Sequence, residues 1–78
     1  MKLPVLSGME IAKLLSKAGF AKLDQTGSHL IMVKEKEGRK FKPVVPMHKE
    51  VFVGTLISII KQAGMTREEF LRRYKKHR

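Results

Sequence analysis

The chain has 78 residues and carries 17 Lys and Arg against 7 Asp and Glu, a formal net charge of +10. A domain of this size buries only about 60% of its unfolded surface, so the length predicts one domain over residues 1–78 and excludes Rossmann enzymes, barrels and P-loop machines. A hydrophobic content of 42% indicates a folded protein. The absence of cysteine excludes a disulfide scaffold, cysteine zinc sites and a thiol nucleophile.

The sequence predicts neither an export signal nor a membrane span. Pro4, Gly8 and Glu10 interrupt the segment that would form the apolar core of a signal peptide. The longest run of apolar character, residues 51–60, has about half of the roughly 20 residues that a membrane helix requires. We therefore expect a cytoplasmic protein.

The first predicted element is a helix over residues 8–18. Ser7 and Glu10 have the spacing of a capping box, in which each side chain accepts a hydrogen bond from the backbone amide of the other. Gly19 can adopt the left-handed conformation that ends a helix. The apolar residues that recur at helical spacing between these signals are Ile11, Leu14, Leu15 and Ala18.

Three antiparallel strands are predicted after this helix. The first two lie at residues 20–25 and 28–34, and the second of them is the most β-prone stretch in the chain. A charged loop over residues 35–40 precedes the third strand at residues 41–46. Pro43 indicates that the third strand lies at a sheet edge or contains a bulge, because proline cannot donate to the hydrogen-bond ladder.

Two further helices are predicted in the C-terminal part. One spans about residues 53–63 and ends at Gly64, and a second capping box at Thr66 and Glu69 opens a short basic helix. The predicted order is α-β-β-β-α with a terminal basic helix, an α+β sandwich in which two helices cover one face of a three-stranded antiparallel sheet. Double-stranded-RNA-binding domains have the same element order, although a shared fold alone does not establish function.

The positive charge predicts contact with a polyanion, of which nucleic acid is the most abundant in a cytoplasm. The last 28 residues are the most basic, with 7 Lys and Arg against 2 acidic residues. The alternative is a solvated surface that only keeps the protein soluble. The candidate RNA-binding residues are Ser28, Lys34, Lys40, Lys42, His48, Lys49, Arg72, Arg73 and Lys76.

The chemical groups available for catalysis reduce to three histidines. His29 begins the second strand. It is either a half-buried structural residue or a residue that takes part in catalysis. His48 either lies at the start of the following helix or donates to a phosphate, and His77 lies in the terminal tail. The histidines lack the spacing of a zinc motif, so no metal is predicted.

A histidine and nearby cations suffice for one reaction of RNA. Histidine has an ordinary pKa of about 6.5 and can transfer a proton near neutral pH, while Lys and Arg bind phosphate. Because the 2′-hydroxyl of RNA is an internal nucleophile, a protein that moves protons and stabilises the phosphorane can cleave the strand without a metal or other cofactor. DNA lacks this hydroxyl.

Motifs over residues 8–71 resemble those of the HicA family of mRNA interferase toxins. In order and spacing they are Ala18-Gly19-Phe20, Gly27-Ser28-His29, Pro46-Met47-His48, Gly54-Thr55-Leu56, Ile60-Lys61-Gln62-Ala63-Gly64 and Glu69-Phe70. The resemblance implies a double-stranded-RNA-binding-like fold and the toxin of a type II toxin-antitoxin system that acts in stress responses. It also implies mRNA cleavage by the histidine of the Gly-Ser-His motif, here His29, and neutralisation by a HicB antitoxin.

Two other functions are alternatives. In a non-catalytic double-stranded-RNA-binding module, His29 would only pack or bond to the backbone, but such modules usually carry a lysine cluster at the start of the last long helix, which residues 53–56 lack. A small DNA-binding regulator would need a helix-turn-helix. The segment around Gly64 resembles one only faintly and lacks the paired short helices of that motif.

Overall fold

The computed structural model describes residues 2–77, and the side chains of residues 2–76, as an α+β fold. The elements in chain order are α1 (Gly8–Lys17), β1 (Ala21–Thr26), β2 (His29–Lys36), β3 (Arg39–Phe41), β4 (Val44–Pro46), α2 (Val53–Gln62) and α3 (Arg67–His77). This arrangement confirms the predicted class and the order in which one helix precedes the sheet and two follow it. The side chain of the third histidine, His77, lies outside the described part.

The central strand of the sheet is β2. On one side it pairs antiparallel with β1, where the Cα atom of Thr26 lies opposite that of His29. A bulge between Lys22 and Asp24 interrupts this pairing and leaves the Leu23 side chain 53% exposed. The strand β1 is therefore an irregular edge whose side chains are all exposed.

The other side of β2 pairs with both β3 and β4, which together form the predicted third strand. Lys34 pairs with Phe41 and Ile31 pairs with Val44, so the register continues unchanged across the break between the two strands. The break falls at Pro43, which has no N–H to donate, although its carbonyl oxygen still accepts from the Met32 amide at 3.0 Å. The expected interruption at proline is confirmed.

The prediction of a charged loop over residues 35–40 is wrong, because the loop is shorter. Strand β2 continues to Lys36 and β3 begins at Arg39, so only Glu37 and Gly38 form the turn. Both residues have positive φ, 52° and 77°, as in the type I′ turns that match the twist of a tight hairpin. The charged residues are thus strand residues on an exposed hairpin.

The outer edge of β4 is closed by helix α2. The Val44 amide points away from β2 and donates to the Gln62 side-chain oxygen at 3.0 Å. Pro46, two residues further along the same edge, has no amide hydrogen to satisfy.

The three helices cover one face of the sheet. Helices α1 and α2 contact β4, and α3 packs against both helices. Buried Leu30 and Met32 face this layer and belong to a single cluster of 17 buried hydrophobic residues in the described part of the chain. The opposite face carries alternate residues of β2 and β4, including half-buried Ile31, Val33 and Val44, and no described element covers it. We call it the open face.

Both predicted capping boxes are present. At α1 the Ser7 amide donates to the Glu10 carboxylate at 2.9 Å, and the Glu10 amide donates to the Ser7 hydroxyl at 3.1 Å. At α3 the Glu69 amide donates to the Thr66 hydroxyl at 3.1 Å, and the bond that the Glu69 carboxylate accepts from the Thr66 amide lowers its pKa. With 11 residues, α3 is the longest described helix rather than a short one, and no helix in residues 2–77 has the length and apolarity to cross a membrane.

Candidate active site

His29 is the first residue of the central strand and its side chain is exposed. It lies on the open face, directly between Thr26 of β1 and Pro46 of β4. The pairing on both sides fixes its backbone, whereas its imidazole is open to solvent. The alternative of a half-buried structural histidine does not hold in this structure.

The turn before His29 depends on glycine for its backbone conformation. Gly27 has φ 58°, in the left-handed region that side chains with a Cβ atom rarely adopt. A Cβ atom built there would meet nothing within 4 Å, so the conformation and not the available space requires glycine. The turn is thereby short enough to place Ser28 and His29 at the tip of the sheet.

The segment that carries His48 is attached to this tip on one side and to α1 on the other. The Met47 amide donates to the Ser28 carbonyl at 2.6 Å, and the Gly8 amide donates to the His48 carbonyl at 2.9 Å. A Cβ atom on Gly8 would lie 2.7 Å from the Met47 Cα atom, so the close approach requires glycine. His48 itself is exposed.

An open cleft of about 320 Å³ lies beside the His48 segment. Its lining residues are Ser7, Met9, Met47, His48 and Lys49. Met9 is 61% exposed, which is high for a large apolar side chain. The cleft therefore combines an apolar wall with basic groups, directly beside the turn that carries His29.

The structure brings some of the predicted RNA-binding residues together and separates others. Ser28, His48 and Lys49 lie at the His29 end of the sheet, as the bond between Met47 and Ser28 shows. Lys40 pairs with Glu35, and the register places both Lys40 and Lys42 on the open face, along the third strand from His29.

Lys34 lies on the opposite face of the sheet from His29. Its ammonium donates to the Ala18 carbonyl at 2.7 Å, at the C-terminal end of α1, and lies 5.7 Å from the centre of the Phe20 ring. A cation at this position interacts favourably with the helix dipole and with the ring. The contacts of Lys34 are thus internal ones that stabilise the fold.

The predicted cations of α3 form a separate group. Arg72, Arg73 and Lys76 are exposed, and the Arg73 guanidinium donates to the Lys17 carbonyl at 3.4 Å. Because the His48 segment is bonded to the start of α1 and Arg73 to its end, the two groups are separated by about the length of this 10-residue helix, roughly 15 Å. We call Lys17, Arg72, Arg73 and Lys76 the distal basic cluster.

Alternation along the second strand places Ile31 and Val33 on the face of His29 from the sequence alone, and the structure agrees. The sequence interpretation did not predict that this face is left open, and it missed the cleft. The cleft had no such signal, because Met9 joins Met47 only through tertiary contact. Among the side chains of residues 2–76, no three His, Asp or Glu form a group that could hold a metal ion.

Fold and site together define a small basic α+β protein with a solvent-exposed histidine at the end of its central strand. The chain matches the family model described as the HicA toxin of bacterial toxin-antitoxin systems over residues 8–65. It therefore belongs to the HicA toxin family and is the toxin component of a toxin-antitoxin system. The match includes His29 and His48 and ends before α3. No curated protein and no solved structure matches the chain.

Proposed function

We propose that this toxin is a metal-independent endoribonuclease that cleaves mRNA in the cytoplasm, with His29 as its catalytic residue. The observation that carries the proposal is the position of His29, exposed at the end of a strand that is paired on both sides. A group that transfers protons must be accessible to substrate and held in place. His29 meets both conditions.

The reaction class follows from the groups available at this end of the sheet. His29 would transfer a proton at the 2′-hydroxyl or at the leaving 5′-oxygen, and Lys49 would offset charge on the phosphate. Attack by the 2′-oxygen leaves a 2′,3′-cyclic phosphate on one fragment and a 5′-hydroxyl on the other. This route needs no metal, cofactor or external nucleophile.

The open face provides a path along which the RNA can extend away from His29. Lys40 and Lys42 are exposed on this face, and their charges favour a polyanion. Ile31 and Val33 offer half-buried apolar surface against which bases can pack. RNA that lies along β4 and β3 would therefore meet both phosphate-binding and base-packing groups.

The partner that the toxin-antitoxin assignment implies is, in this proposal, a HicB-like antitoxin that covers the His29 end. A protein of charge +10 associates rapidly with an acidic partner, but screening over about 8 Å at physiological salt means that tight inhibition also needs desolvated contacts. The open face and the cleft supply apolar surface for such contacts.

The proposal is tested with an RNA oligonucleotide that the protein cleaves and a matched oligonucleotide with one 2′-deoxy substitution at the cleaved position. In buffer with a chelator we expect cleavage of the first, with a cyclic phosphate product, and no cleavage at the substituted position. Cleavage at the deoxy position, or dependence on an added metal, would contradict the mechanism. Binding without cleavage of either substrate would favour the non-catalytic RNA-binding module.

We expect the distal basic cluster to contribute to RNA affinity and not to the chemical step. Changing three members of this cluster, Arg72, Arg73 and Lys76, together with the adjacent Lys75, to Glu should weaken binding. The salt dependence should also flatten, by roughly 0.7 in the log-log slope for each phosphate of a single strand that the variant no longer neutralises. The fold should survive, because these side chains are exposed whereas Phe70 and Leu71 are buried. The measurement is RNA affinity at several salt concentrations.

The matched control for this prediction reverses the charge of exposed lysines outside the distal basic cluster. Lys13 and Lys22 are exposed on α1 and β1, and neither is a predicted RNA ligand. The slope should be unchanged in Lys13→Glu with Lys22→Glu. An equal change per reversed charge in both variants would show that total charge, and not the position of the cluster, sets the affinity.

A further inference from the structure

A second histidine, His48, lies close to His29 in the segment that follows β4. The Met47 amide of this segment donates to the Ser28 carbonyl at 2.6 Å, next to the pair of His29 and Pro46. His48 is the residue after Met47 and lies beyond the end of β4. Because side chains alternate along extended backbone, an extended segment from Pro46 to His48 directs the His48 side chain to the face of Pro46 and His29.

A backbone bond supports this orientation of His48. In an antiparallel pair, the residues that do not bond to the partner strand direct their amide and carbonyl groups outward. The Val44 amide points outward to Gln62, and the His48 carbonyl is turned outward to the Gly8 amide at 2.9 Å. Val44 and His48 are separated by an even number of residues, so the outward direction of the His48 carbonyl agrees with extended backbone for the two residues beyond the end of β4.

The separation of the two histidines suits a single phosphate. Residues placed diagonally across an antiparallel pair have Cα atoms roughly 7–8 Å apart. In an in-line displacement, the attacking and leaving oxygens lie on opposite sides of the phosphorus, and each proton-transfer group must approach its oxygen to about 3 Å. An exposed imidazole at the start of β2 and another two residues beyond the end of β4 can reach these two positions.

We propose that His48 is the second proton-transfer group of the active site and that it works together with His29. One imidazole takes the proton of the 2′-hydroxyl as the 2′-oxygen forms its bond to phosphorus. The bond from phosphorus to the 5′-oxygen then breaks, its electron pair goes to that oxygen, and the other imidazole donates a proton to it. This inference rests on the proposed ribonuclease activity and adds to it the partner of His29.

Other ionisable groups near this end of the sheet have different contacts. Asp24 faces the same side from β1, but one of its carboxylate oxygens accepts a hydrogen bond from the Gln25 amide at 2.8 Å. Glu10 of α1 accepts the capping bond from Ser7. Lys49 follows His48 and is a point charge suited to holding a phosphate. These residues provide the controls for the test.

The test compares ordinary RNA with an oligonucleotide in which sulfur replaces the leaving 5′-oxygen at the cleaved position. A thiolate leaves without protonation, so a variant that lacks the general acid regains its rate on this substrate, whereas a variant that lacks the base does not. We expect His48→Gln and His29→Gln each to lower kcat on ordinary RNA by about 10²–10⁴-fold with little change in KM. On the sulfur substrate, one of the two variants should return to within about tenfold of the wild-type rate.

The outcomes separate this inference from the proposed function. Rescue of one variant and not the other supports the pair and identifies the acid. Three results would show that His48 is not the second group. His48→Gln could keep its kcat, or it could raise only KM, as we expect for Lys49→Gln. Both His48→Gln and His29→Gln could also remain slow on the sulfur substrate. If Asp24→Asn loses kcat while His48→Gln remains active, Asp24 is the second proton-transfer group. An inactive wild-type protein, or an active His29→Gln variant, would instead overturn the ribonuclease proposal itself.

Discussion

Replacing His29 with alanine is expected to lower RNA cleavage by about 10²–10⁴-fold and to abolish growth arrest when the protein is induced in a bacterial host. The reason is that, in the proposed mechanism, the imidazole transfers a proton in the chemical step. Because the His29 side chain is exposed and takes no part in the buried cluster, its removal should change the free energy of unfolding by no more than about 0.5 kcal/mol. Cleavage in chelator and thermal unfolding are measured on the same protein.

The control for this variant is Gln25→Ala. Gln25 is exposed on the neighbouring strand and pairs with Leu30, one residue from His29, but it carries no group that can transfer a proton. This variant should keep both activity and toxicity. If His29→Ala cleaves RNA as fast as the parent protein, the catalytic assignment of His29 is wrong.

Binding of the antitoxin is expected to slow amide hydrogen exchange by tenfold or more at residues 27–32 and 46–49. These two segments form the His29 end of the sheet and include the His48 side of the cleft. Contacts there would exclude water from apolar surface and cover the proposed catalytic residue, His29, in one step. A tenfold slowing corresponds to about 1.4 kcal/mol of local stabilisation.

The competing mode of inhibition is charge masking at the distal basic cluster. In that case the slowed amides would lie in residues 67–77, roughly the length of α1 away from His29. An exchange pattern confined to that helix would contradict the prediction for the His29 end. The two exchange patterns are distinguishable because the His29 end of the sheet and the distal basic cluster lie at opposite ends of α1.

Local signals in the sequence were sufficient to predict the helices and the sheet. Both capping boxes form as their spacing indicates, and Gly64 ends the second helix with φ 68°. The break in the third strand occurs at Pro43. In each case a few neighbouring residues determine the backbone conformation, so the pattern can be read without knowledge of tertiary contacts.

The remaining features depend on contacts between residues that are distant in the chain. The predicted charged loop became a hairpin because β2 supplies a pairing partner for Arg39 and Lys40, which propensity alone does not reveal. Lys34 was predicted as an RNA ligand from its charge, yet its ammonium contacts the end of α1. The exposure of His29 depends likewise on which face the helices cover.

The edge strands β1 and β4 are poor sites for strand addition, for different reasons. On β4, the Val44 amide is already bonded to Gln62 and Pro46 has no amide hydrogen. On β1, the bulge and the charges of Lys22 and Asp24 make a poor template for another strand. We therefore expect a partner of this toxin to recognise side chains on the face of the sheet and not backbone amides along β1 or β4.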